Sequence, residues 1–180
     1  MNKLWFLVCL TMLFASCREQ KKVDHEIYDG PEVAMRNIDM LVSDSAVIKL
    51  RLVARTQLVL PNKDRDFPNG IYLRFYNKFG LVTSTLVADK GYYFSEKDYY
   101  QAEGNVIMRS LFSGDELSTE LLNWDPEKEQ IYTDNFVTIK TQDEVMTGEG
   151  LEASQDFEEY TILKPSGVMS IMPTPNPQVE

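Results

Sequence analysis

Apolar and polar side chains alternate with a period of two along much of the chain between residues 30 and 165. In the clearest run, one face is apolar and the other is mixed and basic. The first face holds Ile48, Leu50, Leu52, Ala54, Thr56, Leu58 and Leu60, and the second holds Val47, Lys49, Arg51, Val53, Arg55, Gln57 and Val59. Strict alternation over this length predicts a half-buried β-strand. A helix would scatter the same apolar side chains around its axis, so the strand is preferred.

The same alternation recurs in shorter runs that are separated by turn-forming residues. Apolar positions alternate with polar or aromatic ones from Ile71 to Tyr76, from Val106 to Arg109 and from Phe136 to Lys140. Between the runs lie Pro68-Asn69-Gly70, Asn77-Lys78-Phe79-Gly80, Ser95-Glu96-Lys97-Asp98, Ser113-Gly114-Asp115 and Asp125-Pro126-Glu127-Lys128. Many short strands with turns between them predict an all-β sandwich or barrel. Only Val33 to Leu41 could form a helical turn.

A weak internal repeat accompanies this pattern. Displacing the chain by 31 residues aligns Leu86 with Leu117, Tyr93 with Trp124, Tyr100 with Ile131, Val106 with Val137 and Met108 with Ile139. A third, shortened copy begins at Met146. Units that cannot bury an apolar face alone become stable by stacking on their neighbours. We therefore expect an elongated, twisted sheet of stacked antiparallel strands with an unpaired edge at each end, and such edges recruit strands from partners.

The N-terminus has the order of residues found in a lipoprotein signal peptide. Lys3 is followed by an apolar stretch from Leu4 to Ser16, and Ala15 and Ser16 directly precede Cys17. The alternative is a transmembrane anchor with an incidental cysteine, but 13 residues are too few for a span of about 20. We predict a signal peptide over residues 1–16 and acylation of Cys17, which would anchor the protein to a membrane.

The segments on either side of the alternating region are polar. Residues 17–29 are predicted to be a flexible tether between the lipidated Cys17 and a single folded domain over residues 30–165. Pro165 introduces a tail over residues 166–180 that is rich in proline and predicted to be extended or disordered. Cys9 would leave with the signal peptide and Cys17 would carry lipid, so no disulfide is expected.

Charge and residue usage exclude several classes of function. The net charge of −10 argues against nucleic-acid binding, and it leaves lipid handling to acyl chains or to a few local basic positions. The single histidine, His25, lies in the tether, so we expect no zinc site and no serine triad. We likewise expect no phosphate-binding loop, no cofactor and no metal.

Paired carboxylates leave one enzyme hypothesis open. Asp115 with Glu116, or Asp143 with Glu144, could act as the two acids of a glycan-processing enzyme. Both pairs lie beside turn residues, however, and solvated turn charges explain them better. We therefore predict that the chain is not an enzyme.

Five segments between Asn37 and Leu163 resemble, in their order, the LptC family of lipopolysaccharide export. Each is mostly strand and turn chemistry, so the order carries the resemblance. The segments are Thr85-Leu86-Val87-Ala88-Asp89-Lys90-Gly91-Tyr92-Tyr93, Ala102-Glu103-Gly104-Asn105-Val106-Ile107, Leu117-Ser118-Thr119-Glu120-Leu121-Leu122-Asn123-Trp124-Asp125, Ile131-Tyr132-Thr133-Asp134-Asn135-Phe136-Val137 and Thr147-Gly148-Glu149-Gly150-Leu151. Many members keep an N-terminal transmembrane helix, whereas this chain looks like a lipoprotein.

The resemblance implies a twisted, partly open β-jellyroll in the periplasm, anchored on the inner membrane. Its apolar interior would receive the acyl chains of lipopolysaccharide. Its edges would pair with the permeases of an inner-membrane ABC transporter at one end and with a periplasmic bridge protein at the other. Burying a chain of about 14 carbons would stabilise such a complex by roughly 10 kcal/mol before ordering costs.

The repeat selects the candidates for this lipid groove. They are Phe75, Tyr93, Val106, Met108, Trp124, Val137 and Ile139. The alternative is that these residues only form the core, and Tyr93 and Trp124 could instead be polar-tipped anchors at an edge. The function expected from the sequence is a non-enzymatic carrier with an accessible apolar trough. The alternative is an interaction lipoprotein that binds proteins by strand addition without carrying lipid.

Overall fold

The computed structural model describes residues 30–44 and 46–170. The chain divides into two units, Met1–Gly30 and Pro31–Glu180, and the described residues from 31 onward belong to the second. The predicted signal peptide, Cys17, the tether with His25 and the last ten residues of the tail lie outside the described residues. Within the described part, no helix has the length and apolar character needed to span a bilayer.

Eleven strands make up the described domain, and every pairing between them is antiparallel. The prediction of an all-β, jellyroll-like fold is therefore confirmed. The strands are β1 (Val33–Asp44), β2 (Val47–Val59), β3 (Arg65–Phe67), β4 (Ile71–Tyr76), β5 (Val82–Ala88), β6 (Lys90–Phe94), β7 (Tyr99–Ser110), β8 (Glu116–Asp125), β9 (Gln130–Lys140), β10 (Glu144–Ser154) and β11 (Tyr160–Ser170).

The strands form one sheet that folds over on itself. The order is β11-β10-β9-β8-β7-β5-β4-β2-β3-β6, with β1 on β2 and a further pairing of β6 with β7. The first half of β7 pairs with β6 and its second half with β5, while β2 pairs with β4 and then with β3. The ring β2-β4-β5-β7-β6-β3 is thus closed. The strands β1 and β11 each have one neighbour, which confirms the predicted unpaired edges.

Two layers face each other across the core. We define the first layer by β1, β2, β4, β5 and the second half of β7. The second layer comprises β3, β6, the first half of β7 and the parts of β8, β9 and β10 that pair in sequence from that half of β7. Irregularities at Gly104–Asn105 in β7 and at Gly150 in β10 mark the fold between them. The rings of Phe75 on β4 and Trp124 on β8 are 5.3 Å apart although two strands separate them in the sheet, so this contact crosses the interior.

The helical turn over Val33 to Leu41 is wrong, because this segment lies within β1. It pairs with β2 in one register from Val33 opposite Val59 to Val42 opposite Leu50, with Asn37, whose φ is +55°, left out of the pairing. Its apolar residues Ile38 and Met40 also alternate, and they pack half-buried against the core. The long antiparallel pairing with β2 outweighs the weak helical preference of the segment.

The predicted alternation of β2 holds only as far as Ala54. Beyond it, Gln57 is buried and Leu58 is half-buried, so the faces exchange. The reason is topological, since β2 leaves β4 at Ala54 and meets β3 at Leu58. The exchange lies where β2 passes from one layer to the other, next to the irregularity at Asn37 of β1, which has φ of +55°.

The last strand extends beyond the predicted end of the domain. β11 runs through Pro165 to Ser170 and pairs with β10, with an irregularity beside Pro165. Proline is tolerated in an edge strand because the missing donor does not interrupt a central ladder. Residues 166–170 of the predicted tail therefore belong to the sheet.

The structure supports the 31-residue repeat. Leu86 and Leu117, Val106 and Val137, and Met108 and Ile139 are all buried in the same core. The hairpin turns before β7 and before β9 also match, because Asp98 and Glu129 both have positive φ, at 48° and 51°.

Candidate functional site

A continuous row of apolar side chains crosses the inner face of the sheet. Each member lies opposite the next on the neighbouring strand: Met40, Leu52, Leu73, Leu86, Met108, Leu117, Ile139, Met146 and Val168. The six from Leu52 to Ile139 are buried, Met40 and Met146 are half-buried, and Val168 is exposed. The apolar inner face therefore runs from one free edge of the sheet to the other.

Most of the predicted groove residues meet in this interior. Phe75, Val106, Met108, Trp124, Val137 and Ile139 are all buried members of one core. Tyr93 lies apart from them on β6 and is half-exposed, and its ring is 4.7 Å from that of Tyr100. Its hydroxyl donates a hydrogen bond of 2.9 Å to Asp98 Oδ1. The structure thus gathers six of the seven candidates and leaves Tyr93 at the rim.

The interior between the layers is filled. An apolar cavity among the described residues of this interior has a volume of about 20 Å³, and its lining includes Leu52, Phe67, Phe75, Tyr100, Leu122 and Trp124. This is room for about one water molecule, far less than an acyl chain. The described residues thus form no open trough in this structure, and the predicted binding of acyl chains stays a prediction. The physical reason is that aromatic side chains from both layers, above all Phe75 and Trp124, meet edge to face across the space.

A few polar contacts join the two layers along one side of the interior. We call these residues the lip: Lys49, Ser84, Glu129 and Gln155. Lys49 Nζ lies 2.7 Å from Glu129 Oε1, which joins the start of β2 to the β8–β9 turn. The Ser84 hydroxyl on β5 donates to the carbonyl oxygen of Gln155 at 2.8 Å. The side-chain oxygen of Gln155 accepts a hydrogen bond of 3.2 Å from Trp124 Nε1.

The β10–β11 loop closes the interior behind the lip. Phe157 in this loop has φ of +57° and is fully buried, and its ring stacks on Tyr160 at 5.0 Å. A buried aromatic residue in the left-handed region requires its surroundings to hold it there. Sequence reasoning missed Gln155 and Phe157, because they belong to no alternating run and the loop carries no turn motif that would single them out.

The lip is weakly held compared with the core. Both partners of the Lys49–Glu129 pair are partly exposed, so the pair contributes at most about 1 kcal/mol. Each neutral hydrogen bond adds about 1 kcal/mol. The packing of Phe157 is the largest contribution at this side, since a buried aromatic ring is worth several times more.

Electrostatics at the site are mild. Burial raises the pKa of Tyr100 to about 12, and its ring lies 4.9 Å from that of Trp124. Burial also raises the pKa of Tyr93, with a further contribution from its hydrogen bond to Asp98. Within residues 30–44 and 46–170, no group of three or more acidic, histidine or cysteine residues is placed to hold a metal ion.

The residues of the two candidate carboxylate pairs lie in turns or at the starts of strands. Glu116 forms an ion pair with Arg109 on the neighbouring strand. The backbone N–H of Asp115 donates to the Ser113 hydroxyl, and that of Asp143 donates to the Thr141 hydroxyl. These contacts account for three of the four residues as turn formers or strand partners.

Both free edges of the sheet present apolar side chains. Val33 and Leu41 are exposed on β1, and Leu163, Val168 and Met169 are exposed on β11. A long edge strand with unpaired backbone groups is a template for the addition of a further strand. β11 lies at one end of the strand order, whereas β1 is attached to β2 beside the closed ring.

Comparison with known families decides what this fold belongs to. A family model described as "Lipopolysaccharide-assembly, LptC-related" matches residues 4–166 of the 180. The chain belongs to the LptC family. LptC proteins are periplasmic components of the lipopolysaccharide transport system of the cell envelope, so the chain takes part in lipopolysaccharide transport. In a comparison with curated proteins, no significant match was found.

Proposed function

We propose that this LptC-family chain is a lipoprotein that takes lipopolysaccharide acyl chains between its two layers. It would receive them from an inner-membrane ABC transporter and pass them to a periplasmic bridge protein. The observation that carries the proposal is the apolar row that crosses nine strands and reaches both free edges. A core that served folding alone would have no need to continue to Val168, which is exposed.

Binding an acyl chain requires the two layers to separate. We place the opening at the lip, where the contacts between the layers include a partly exposed ion pair, two hydrogen bonds and one loop residue. The burial of a chain of about 14 carbons contributes roughly 10 kcal/mol before ordering costs. That gain exceeds the few kcal/mol of the polar contacts at the lip, and it also offsets the displacement of Phe157.

The free edges supply the contacts to partners. One edge would pair with a strand of the transporter permeases and the other with a strand of the bridge protein. Strand addition at β1 and β11 would continue the apolar row into the partner, because alternate side chains of an added strand point to the same face. The acyl chain would then move along one continuous apolar surface.

Anchoring at Cys17 completes the proposal. The acyl groups on this cysteine would hold the domain at the inner membrane through the tether of residues 18–29. Replacing Cys17 with Ser is expected to release the protein from membranes, as measured by fractionation of cells.

Photocrosslinking tests the carrier function directly. A photoreactive phenylalanine analogue at Phe75, which is buried between the layers, is expected to capture lipopolysaccharide in cells. The matched control is the same analogue at Phe136, which is 55% exposed. Capture at Phe136 alone, or at neither position, would contradict lipid carriage in the interior.

One observation favours a second candidate function. Because the interior is filled, the chain could act as an interaction lipoprotein that binds partners by strand addition and never holds lipid. In that case a photoreactive residue at Met169 on β11 would capture protein partners, while one at Phe75 or Met108 would capture no lipopolysaccharide. Capture of a protein partner at Met169 together with capture of lipopolysaccharide at Phe75 or Met108 supports the carrier function.

A further inference from the structure

Four large apolar side chains protrude together at one end of the first layer. Phe79 and Leu81 belong to the β4–β5 turn, and Leu111 and Phe112 belong to the β7–β8 turn. Phe79 is 76% exposed and Phe112 is 85% exposed, and both leucines are exposed as well. We call these four residues the apolar tip. Contiguous exposed apolar side chains of this size mark contact with a partner or a membrane.

The two turns form one structure. β5 lies between β4 and β7 in the sheet, with Ser84 opposite Ser110. The N–H of Leu111 donates to the carbonyl oxygen of Thr83 at 2.8 Å, which joins the second turn to the strand that follows the first. The four side chains therefore project from neighbouring turns at the same end of the sheet.

Both turns are held in shape by hydrogen bonds while their apolar residues face solvent. Asn77 Oδ1 accepts from the N–H groups of Phe79 at 3.0 Å and Leu81 at 3.1 Å. The buried Ser110 hydroxyl accepts from the N–H groups of Phe112 at 3.3 Å and Ser113 at 3.2 Å. The turns thus hold two phenylalanines away from the core in a fixed conformation.

We propose that the apolar tip inserts into the interfacial zone of a lipid bilayer. The tip is convex, with two aromatic residues on the apices of separate turns, which suits insertion among lipids better than docking on a flat protein surface. Lys78 lies beside Phe79, with its Nζ 5.2 Å from the ring centroid. A lysine next to an apolar residue can extend to the headgroups while the ring enters the acyl region.

Net charge indicates which lipids the tip selects. The chain carries −10 overall, and Asp115 and Glu116 follow the second turn, so anionic headgroups are not favoured. The tip therefore enters by apolar burial, and its insertion does not require anionic lipid. A depth of about 5–10 Å, typical of interfacial segments, would bury both phenylalanine rings.

The length of chain before the domain permits this contact. The argument from the length of the tether rests on the proposed acylation of Cys17, and the other observations on the apolar tip do not. Residues 18–29 separate Cys17 from the domain and span about 40 Å when fully extended. β1 carries the chain over 12 residues, about 40 Å, to the end of the layer where the tip lies. The tether is thus long enough for the tip to reach the bilayer that holds the anchor.

Tryptophan fluorescence in vesicles tests the proposal. The acylated protein, from which the predicted signal peptide with Trp5 has been removed, carries Phe79→Trp and is reconstituted in phosphatidylcholine vesicles with or without brominated acyl chains. We expect a blue shift of the new emission and its quenching by bromine, to a greater extent than at the control position, as for a residue at interfacial depth. The native Trp124 is buried and common to all variants. The control is Phe136→Trp, which places the probe at another exposed phenylalanine outside the tip.

The outcomes separate the tip from the anchor. If the protein floats with the vesicles but bromine quenches Phe79→Trp and Phe136→Trp equally, or quenches neither, the proposed insertion of the apolar tip is overturned. A blue shift at Phe79→Trp that grows with protein concentration and is not quenched by bromine shows self-association and also overturns it. Protein that fails to float disproves the anchor. In that case, quenching of Phe79→Trp by vesicles added at high concentration still supports the tip, and its absence contradicts it.

Discussion

Tyr100 lies where the two layers and the rim of the interior meet. Its ring contacts Trp124 at 4.9 Å on one side and Tyr93 at 4.7 Å on the other. Burial raises the pKa of its phenol to about 12 from the usual 10.0, because the charged form is poorly solvated there. The pKa of Tyr100 therefore indicates how tightly the layers are packed around its phenol.

We expect the folded state to weaken in alkali through this residue. Between about pH 10 and about pH 12 the unfolded chain releases the Tyr100 proton while the folded chain keeps it. The contribution of Tyr100 to the free energy of unfolding is thus fully present below pH 10 and is lost as the pH rises through the folded pKa. Tyr100→Phe should reduce the fall in the free energy of unfolding that urea unfolding measures between about pH 10 and about pH 12.

Tyr93→Phe provides the comparison. Burial raises the pKa of Tyr93 too, but its ring is more exposed than that of Tyr100. We therefore expect Tyr93→Phe to change the pH dependence of the free energy of unfolding less than Tyr100→Phe does. An equal or larger effect at Tyr93 would mean that Tyr100 is not the desolvated group and that the interior is wetter than described.

At the level of elements, the β10–β11 loop determines whether the interior is closed. The loop contributes Gln155 to the lip and Phe157 to the core, so one short connection provides both a polar contact and core packing. The ion pair of Lys49 with Glu129 lies on the same side but is partly exposed. The two kinds of contact should therefore differ widely in strength.

Mutation at the two positions tests this difference. Phe157→Ala removes a buried ring and is expected to lower the free energy of unfolding by about 3 kcal/mol. Glu129→Gln removes only the ion pair and should lower it by less than about 1 kcal/mol. Urea unfolding measures both. If Glu129→Gln costs as much as Phe157→Ala, the lip is held by charge and not by packing.

The elements also show what the sequence could and could not specify. Period-two runs located the strands from Val47 to Ala54 and from Ile71 to Tyr76, because these are half-buried in a single layer. The same rule failed at Gln57, where β2 passes between layers, and at β1, whose pattern is weak because both of its faces are partly exposed. Sequence period describes one layer at a time and carries no information about where a strand changes layer.

For the whole molecule, the repeat identified six buried groove candidates, since burial in a stacked sheet follows directly from alternation. It could not tell whether they line a space or fill one, because this depends on how closely two layers approach. The closure by Phe157 depends on a loop with positive φ, which leaves no periodic signal. A chain of a lipopolysaccharide-transport family with a filled interior can carry an acyl chain there only if the lip opens.

The distance across the lip tests that requirement most directly. Spin labels at Lys78→Cys and Glu127→Cys lie on the exposed β4–β5 and β8–β9 turns, one on each side of the lip. A control pair at Lys78→Cys and Ser113→Cys spans two turns of the first layer. With purified lipopolysaccharide, double electron–electron resonance should show the first distance increasing while the control distance stays constant. An unchanged first distance, in protein that has bound lipopolysaccharide, would contradict the account.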